Sequence, residues 1–170
     1  LDTYPGNSLR LLLAEGLLTA KNVLPPNAWS HAVGVFSASK GRYKLYVNGR
    51  EVADASRPGM KPIQANQLPL RLGADSAGEH RYRGVLARVT VYDRALEADE
   101  IARLAAEPAR RSLDLSGRVA DWDFRQPGKA AYVSRAAGAL ALSHPPTLTG
   151  SAPPPPEPLQ TLWYRQPARD

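Results

Sequence analysis

Asn48-Gly49 stands between two alternating runs, Tyr43-Lys44-Leu45-Tyr46-Val47 before it and residues 50–55 after it, and this pair constrains the fold more than any other feature. A two-residue connection must twist with its strands. The type I′ turn that does so needs φ > 0 at both central residues, which Asn and Gly tolerate best. A tight antiparallel hairpin is therefore predicted here.

The neighbouring segments extend the same pattern. Residues 8–13 read as a strand entered from Pro5-Gly6-Asn7, with residues 17–23 as its hairpin partner across Glu15-Gly16. Pro25-Pro26-Asn27 breaks the chain before a strand at 29–37, where His31, Val33 and Val35 share one face and Ala32, Gly34 and Phe36 the other. Residues 56–69, with Pro58, Gly59, Pro62 and Pro69, read as a loop. Residues 70–74 read as a short strand and 75–80 as a polar turn. Residues 83–93 form the longest predicted strand, with Val85, Ala87, Val89 and Val91 as an apolar stripe. The period then changes. Ile101, Leu104 and Ala105 follow helical spacing, with Glu97, Asp99 and Glu100 in the first turn and Arg110 and Arg111 near the end. Residues 118–124 and 140–143 read as further strands, and 151–158, Ser-Ala-Pro-Pro-Pro-Pro-Glu-Pro, as a polyproline II linker. Short strands between turn residues predict an all-β antiparallel sandwich with one short helix.

Composition removes several function classes. With no cysteine, disulfides and thiol catalysis are excluded. No apolar stretch approaches the ~18–20 residues of a membrane span. The net charge of +6 invites an anionic partner, yet no basic run is interleaved with aromatics as a nucleic-acid groove requires, so no nucleic-acid partner is expected. The chain opens on Leu1-Asp2-Thr3-Tyr4 without Met and without a signal peptide, so a piece of a longer protein is expected, truncated at the N-terminus.

A search for chemistry returns little. In Asp121-Trp122-Asp123 the i, i+2 spacing aims two carboxylates at one face, as a glycosidase pair would need, but no third acid follows and a solvated strand face is the expected role. His31, His80 and His144 lack metal-ligand spacing, and His31 sits on a predicted core strand as a structural residue. Gly73 and Gly84 suit a strand end and a bulge, and Trp29 and Trp122 suit the core. Sugar recognition needs aromatic faces beside planar hydrogen-bonding groups. Tyr46, Asn48, His80, Arg81 and Tyr82 are the candidate ligand-binding residues on that ground.

The order of parts resembles the laminin G-like, concanavalin A-type jellyroll. Asn27-Ala28-Trp29-Ser30-His31-Ala32-Val33, Lys44-Leu45-Tyr46-Val47-Asn48-Gly49, Leu70-Arg71-Leu72-Gly73, residues 82–92 and Arg94-Ala95-Leu96 leading to Glu100-Ile101 follow that family's succession over about residues 8–106. The resemblance implies a display or binding module, extracellular or periplasmic, and a calcium site in which Asp75 is the well-placed acid. Two departures stand out: Glu97 replaces the usual capping Ser and should loosen the helix's first turn, and the family's earlier strands precede the point where this chain starts. Residues 119–124 resemble the opening strand of such jellyrolls, so 109–150 either complete the sandwich of residues 1–108 or begin a second module. Beyond the linker, residues 159–170, with Leu162-Trp163-Tyr164-Arg165-Gln166-Pro167-Ala168, resemble the start of the catalytic region of bacterial α-L-fucosidases. The implied function is a non-catalytic carbohydrate-binding or spacer module of an exported glycoside hydrolase, with carbohydrate and the adjoining glycosidase domain as partners. An extracellular protein-interaction or adhesion module is the alternative.

Overall fold

A computed structural model of the chain describes residues 1–14, 16–64, 70–75, 77–106 and 116–124, together with strand segments at 133–134, 138–139 and 163–165. In chain order the elements are β1 (Leu9–Leu13), β2 (Gly16–Ala20), β3 (Trp29–Ser37), β4 (Arg42–Val47), β5 (Arg50–Ser56), β6 (Val85–Leu86), β7 (Arg88–Tyr92), α1 (Ala98–Ala106), β8 (Arg118–Asp123), β9 (Val133–Ser134), β10 (Gly138–Ala139) and β11 (Trp163–Arg165). Every strand pairing is antiparallel.

The turn at 48–49 forms as its residue types require: Asn48 has φ 50° and Gly49 φ 79°. β4 and β5 pair across it, with a bulge between Leu45 and Tyr46, and β3 pairs with the other edge of β4. The alternation of β4 then builds two cores. Tyr43, Leu45 and Val47 point to one face, where Leu9, Leu18, Ala20 and Leu24 from the β1–β2 side close over them together with Ala32 and Met60. Tyr46 points to the other, where it is buried with Leu96, Ile101 and Leu104 of the helical segment against Val33, Val35 and Tyr92. One sheet is thus covered by a hairpin on one side and by a helix on the other. The all-β antiparallel class with one short helix is what the structure shows, and no helix among the described residues is long and apolar enough to cross a membrane.

Three local expectations change. Residues 70–74 do not form a strand: Leu70 is exposed, Gly73 takes φ 78°, and the Gly73 carbonyl accepts from the Tyr82 N–H at 2.7 Å, so the segment closes a loop instead of lying in a sheet. The long strand at 83–93 divides at Ala87. β6 belongs to the five-stranded sheet β5–β4–β3–β11–β6 and β7 pairs with β8, while the Ala87 carbonyl accepts from the Phe124 N–H. Its two faces are therefore both partly buried, and Arg88, opposite the apolar stripe, is only 7% exposed.

The helix start is the third. Glu97 occupies the capping position, its carbonyl accepting from the Ile101 N–H, but the anchor is Glu100, whose Oε2 accepts from the Glu97 N–H at 2.9 Å. Arg94 binds both Glu100 oxygens at 2.8 and 2.6 Å, a bidentate pair that holds the carboxyl down at a pKa of about 2. The first turn is thereby tied rather than loosened. The expected Arg110 and Arg111 helix end, the strand at 140–143 and the linker at 151–158 lie outside the described residues.

Candidate functional site

The expected ligand-binding residues fall into two separate places. Tyr46 is 2% exposed beneath α1, with its hydroxyl 3.3 Å from Glu51 Oε2, so its ring is part of a core and not a platform. Asn48 is exposed, but its Oδ1 accepts from the His31 N–H at 2.9 Å while its own N–H donates to the His31 carbonyl at 2.8 Å. The residue that makes the turn also closes the end of the β3–β4 ladder. His31, fully buried beside it, is driven by desolvation to a pKa of about 3 and is neutral at ordinary pH.

His80, Arg81, Tyr82 and Asp75 come together in one compact loop at 73–82. Asp75 organises it. Its Oδ1 accepts from the Ala77 N–H at 3.0 Å and the Glu79 N–H at 2.8 Å, and its Oδ2 lies 2.7 Å from His80 Nδ1. Backbone bonds from Asp75 N to Glu79 O and from Gly78 N to Asp75 O close the turn, with Gly78 at φ 86° and His80 itself at φ 43°. The His80 contact, and then the Glu79 N–H, hold the Asp75 carboxyl below its usual range. An ionised carboxylate only accepts, so His80 Nδ1 donates to Asp75, on a side chain that is 83% exposed.

Arg81 is exposed beside it, and Tyr82 is half-buried, leaning on the hairpin-side core. Arg71, which the sequence pattern places in a strand, crosses the same loop: a Cβ at Gly78 would stand 3.2 Å from its Nη1. The loop thus combines the His80 ring with two guanidinium side chains and a tyrosine. Asp75 spends both oxygens inside the loop, and among the described residues no group of three or more His, Cys, Asp or Glu could hold a metal ion.

Of the Asp121-Trp122-Asp123 acids, Asp121 is otherwise employed. Arg88 binds both oxygens of Asp121 across the β7–β8 ladder, with Thr90 Oγ1 and Arg118 Nη1 each at 3.4 Å. The Arg88 side chain is 9% exposed and that of Asp121 24%, so this is a largely buried ion pair joining two strands. Trp122 beside it is 2% exposed, a core residue as expected, and Trp29 is half-buried on β3. Sequence spacing did not reveal the Arg88–Asp121 pair, because its members are separated by the whole helical segment.

A family profile, Laminin_G_3 of the Concanavalin A-like lectin/glucanases superfamily, matches residues 3–102. The chain belongs to this family. Two further likenesses accompany it. The laminin G-like chain is 26% identical over 97 residues to Adhesion G-protein coupled receptor V1 from Danio rerio, covering 54% of this chain and 2% of the receptor. It is also similar to the crystal structure of an S-layer domain-containing protein from Clostridium thermocellum, at 26% identity and a TM-score of 0.40, covering 53% of this chain and 45% of that one. The laminin G-like match ends inside α1, so β8 and all that follows lie beyond it.

Proposed function

We propose that this laminin G-like chain is a non-catalytic carbohydrate-binding module of an exported protein, and that the loop at 73–82, with Arg71, is its contact surface. The observation that carries the reading is the Asp75–His80 pair. A carboxylate that holds an exposed histidine ring in place, beside exposed arginine, is an arrangement suited to the hydroxyl and carboxylate patterns of a sugar. On this reading residues 1–108 with the strands that follow, β11 included, display the loop, and the resemblance of residues 159–170 points to an adjoining glycosidase region of α-L-fucosidase-like kind. The location is extracellular or periplasmic. Glycan arrays followed by calorimetry with fucosylated and pectic oligosaccharides test it. Binding that falls about ten-fold or more in His80→Ala and Arg81→Ala is the expected result, and silence across the panel would overturn sugar binding.

The likeness to an adhesion receptor supports a second reading, a protein-interaction module on a cell surface. Capture of a surface protein by the immobilised chain, undiminished by competing oligosaccharides and by His80→Ala, would favour it over the first.

A further inference from the structure

The outer face of the β1–β2 hairpin carries groups that neither core uses. Leu9, Leu18 and Ala20 turn inward, with Leu11 and Leu13 packed beside them. Alternation therefore sends Arg10, Leu12, Leu17 and Thr19 outward, with Leu12 opposite Leu17 and Thr19 opposite Arg10. Leu12 and Leu17 are both exposed. The first residues extend this face along the other edge of β1. The Asp2 N–H donates to the Arg10 carbonyl at 2.9 Å, and the Arg10 N–H donates to the Asp2 carbonyl at 2.8 Å. The same parity puts the side chains of Asp2 and Tyr4 on the side of Arg10. Leu1 turns the other way, and a Cβ at Gly34 would stand 3.1 Å from its Cδ1.

On this face a carboxylate fixes an arginine, and the arginine fixes an aromatic ring. Asp2 accepts from Arg10 Nε at 2.9 Å and from Nη2 at 2.5 Å, and its Oδ1 also accepts from the Tyr4 N–H at 2.9 Å. The guanidinium so held has its Cζ 5.3 Å from the centre of the Tyr4 ring. Tyr4 is nevertheless 63% exposed, so the ring is held in place with most of its surface in water. A side chain ordered in advance spares binding the cost of ordering it. From the ring the strip runs past the guanidinium and carboxylate to the Leu12–Leu17 pair, over roughly 13 Å, four residue steps along a strand. Its charge sets it apart. The chain as a whole carries +6, but here Arg10 is cancelled by Asp2, and Tyr4, Leu12, Leu17 and Thr19 add none. A neutral strip of apolar surface and fixed polar groups is complementary to an uncharged ligand that has both. A pyranose offers a C–H face to the tyrosine and hydroxyls to the remaining N–H groups of Arg10.

We infer that the outer face of the β1–β2 hairpin is a separate sugar-binding site, in which Tyr4 stacks on a pyranose ring of a neutral oligosaccharide and Arg10, fixed by Asp2, bonds its hydroxyls. This stands independently of what the loop at 73–82 binds. The test is a titration of the full chain, labelled for amide NMR, with cellohexaose, xylohexaose and mannohexaose, and with hexagalacturonate as the acidic comparison. At least one neutral hexasaccharide should shift the amides of Tyr4, Arg10, Leu12 and Leu17, with hexagalacturonate weaker at these positions. The affinity should fall about ten-fold in Tyr4→Ala and hardly change in Tyr4→Phe, because the ring and not the hydroxyl makes the platform. Tyr4→Ala removes an exposed side chain, so the amide spectrum of the remaining chain should stay that of the folded protein. His80→Ala should leave the hairpin shifts as they are, which separates failure of this site from failure of the loop. Shifts confined to residues 73–82, hairpin shifts that persist undiminished in Tyr4→Ala, or no shift with any neutral probe would overturn the site. Tighter binding of hexagalacturonate at the hairpin would overturn its preference for neutral sugar. Shifts of Leu12 and Leu17 that grow with protein concentration in the absence of sugar would assign the face to a second copy instead, and would overturn the inference as well.

Discussion

The hairpin at 42–56 and the segment at 70–93 are similar in composition and opposite in how they are specified. In the hairpin every instruction is local: alternation sets the faces, and Asn48-Gly49 sets the turn with its two positive φ angles. In 70–93 the residues alternate just as well, yet 70–74 close into a loop and 83–93 split between two sheets. What divides them is the partner. β4 finds its neighbours on either side of itself in sequence, whereas β6 pairs with residues 164–165 and β7 with residues 118–123. A strand whose partners are remote takes its boundaries from them.

The sharpest way to break this contrast is at the remote pairing. Asp121→Ala leaves Arg88 buried without its bidentate carboxylate, and the expected loss of stability is about 3–5 kcal/mol, read by urea or thermal unfolding. Replacing Arg88 and Asp121 together by apolar residues should restore much of it. A loss below about 1 kcal/mol for the single change would mean that β8 is not held by this pair. The local side of the contrast is tested at Gly49, where a Cβ would stand 3.1 Å from Ala105 Cβ and 3.2 Å from Ala102 Cα in a left-handed conformation. Gly49→Ala should cost about 1–2 kcal/mol and should loosen α1 as well as the turn, seen as faster amide exchange in both.

The smallest effect is the pH response over the first unit below 6.5. His31 has its folded pKa depressed from 6.5 to about 3, so the unfolded chain takes up the proton first as pH falls. Stability is therefore full above 6.5 and declines toward 3, by about 1 kcal/mol at the first pH unit below 6.5. Glu100, depressed from 4.5 to about 2, adds to the loss in the same direction only below 4.5. His31→Gln should flatten the upper part of the curve, and an unchanged slope between pH 6.5 and 5 would exclude His31 as its source.

The same division between local and remote instruction explains how much of the candidate site was legible. His80, Arg81, Tyr82 and Asp75 could be found because they lie within eight residues of one another in a polar turn, and the loop that joins them is closed by its own backbone. Tyr46 looked equivalent, but its ring lies under α1, and an alternating pattern tells which residues share a face without telling what will cover it. Arg71 was hidden for the converse reason. It was read as part of a strand, and only the folding of the loop carries its guanidinium over Gly78. Glu97 was a poor cap by its own chemistry, and the remedy came from Arg94 and Glu100, three residues to either side.

The amino-acid order alone determined the class of fold, the hairpin at 48–49, the two faces of β3 and the short helix after residue 97, because alternation, turn angles and helical spacing act over a few residues. The tertiary structure alone decided which face the helix covers, where the strand at 83–93 divides, that Asp121 serves Arg88, and that residues 163–165 enter the sheet beside β3. These are matters of which distant groups meet. Burial and the pairing of backbone edges settle that only when the whole chain has closed around them.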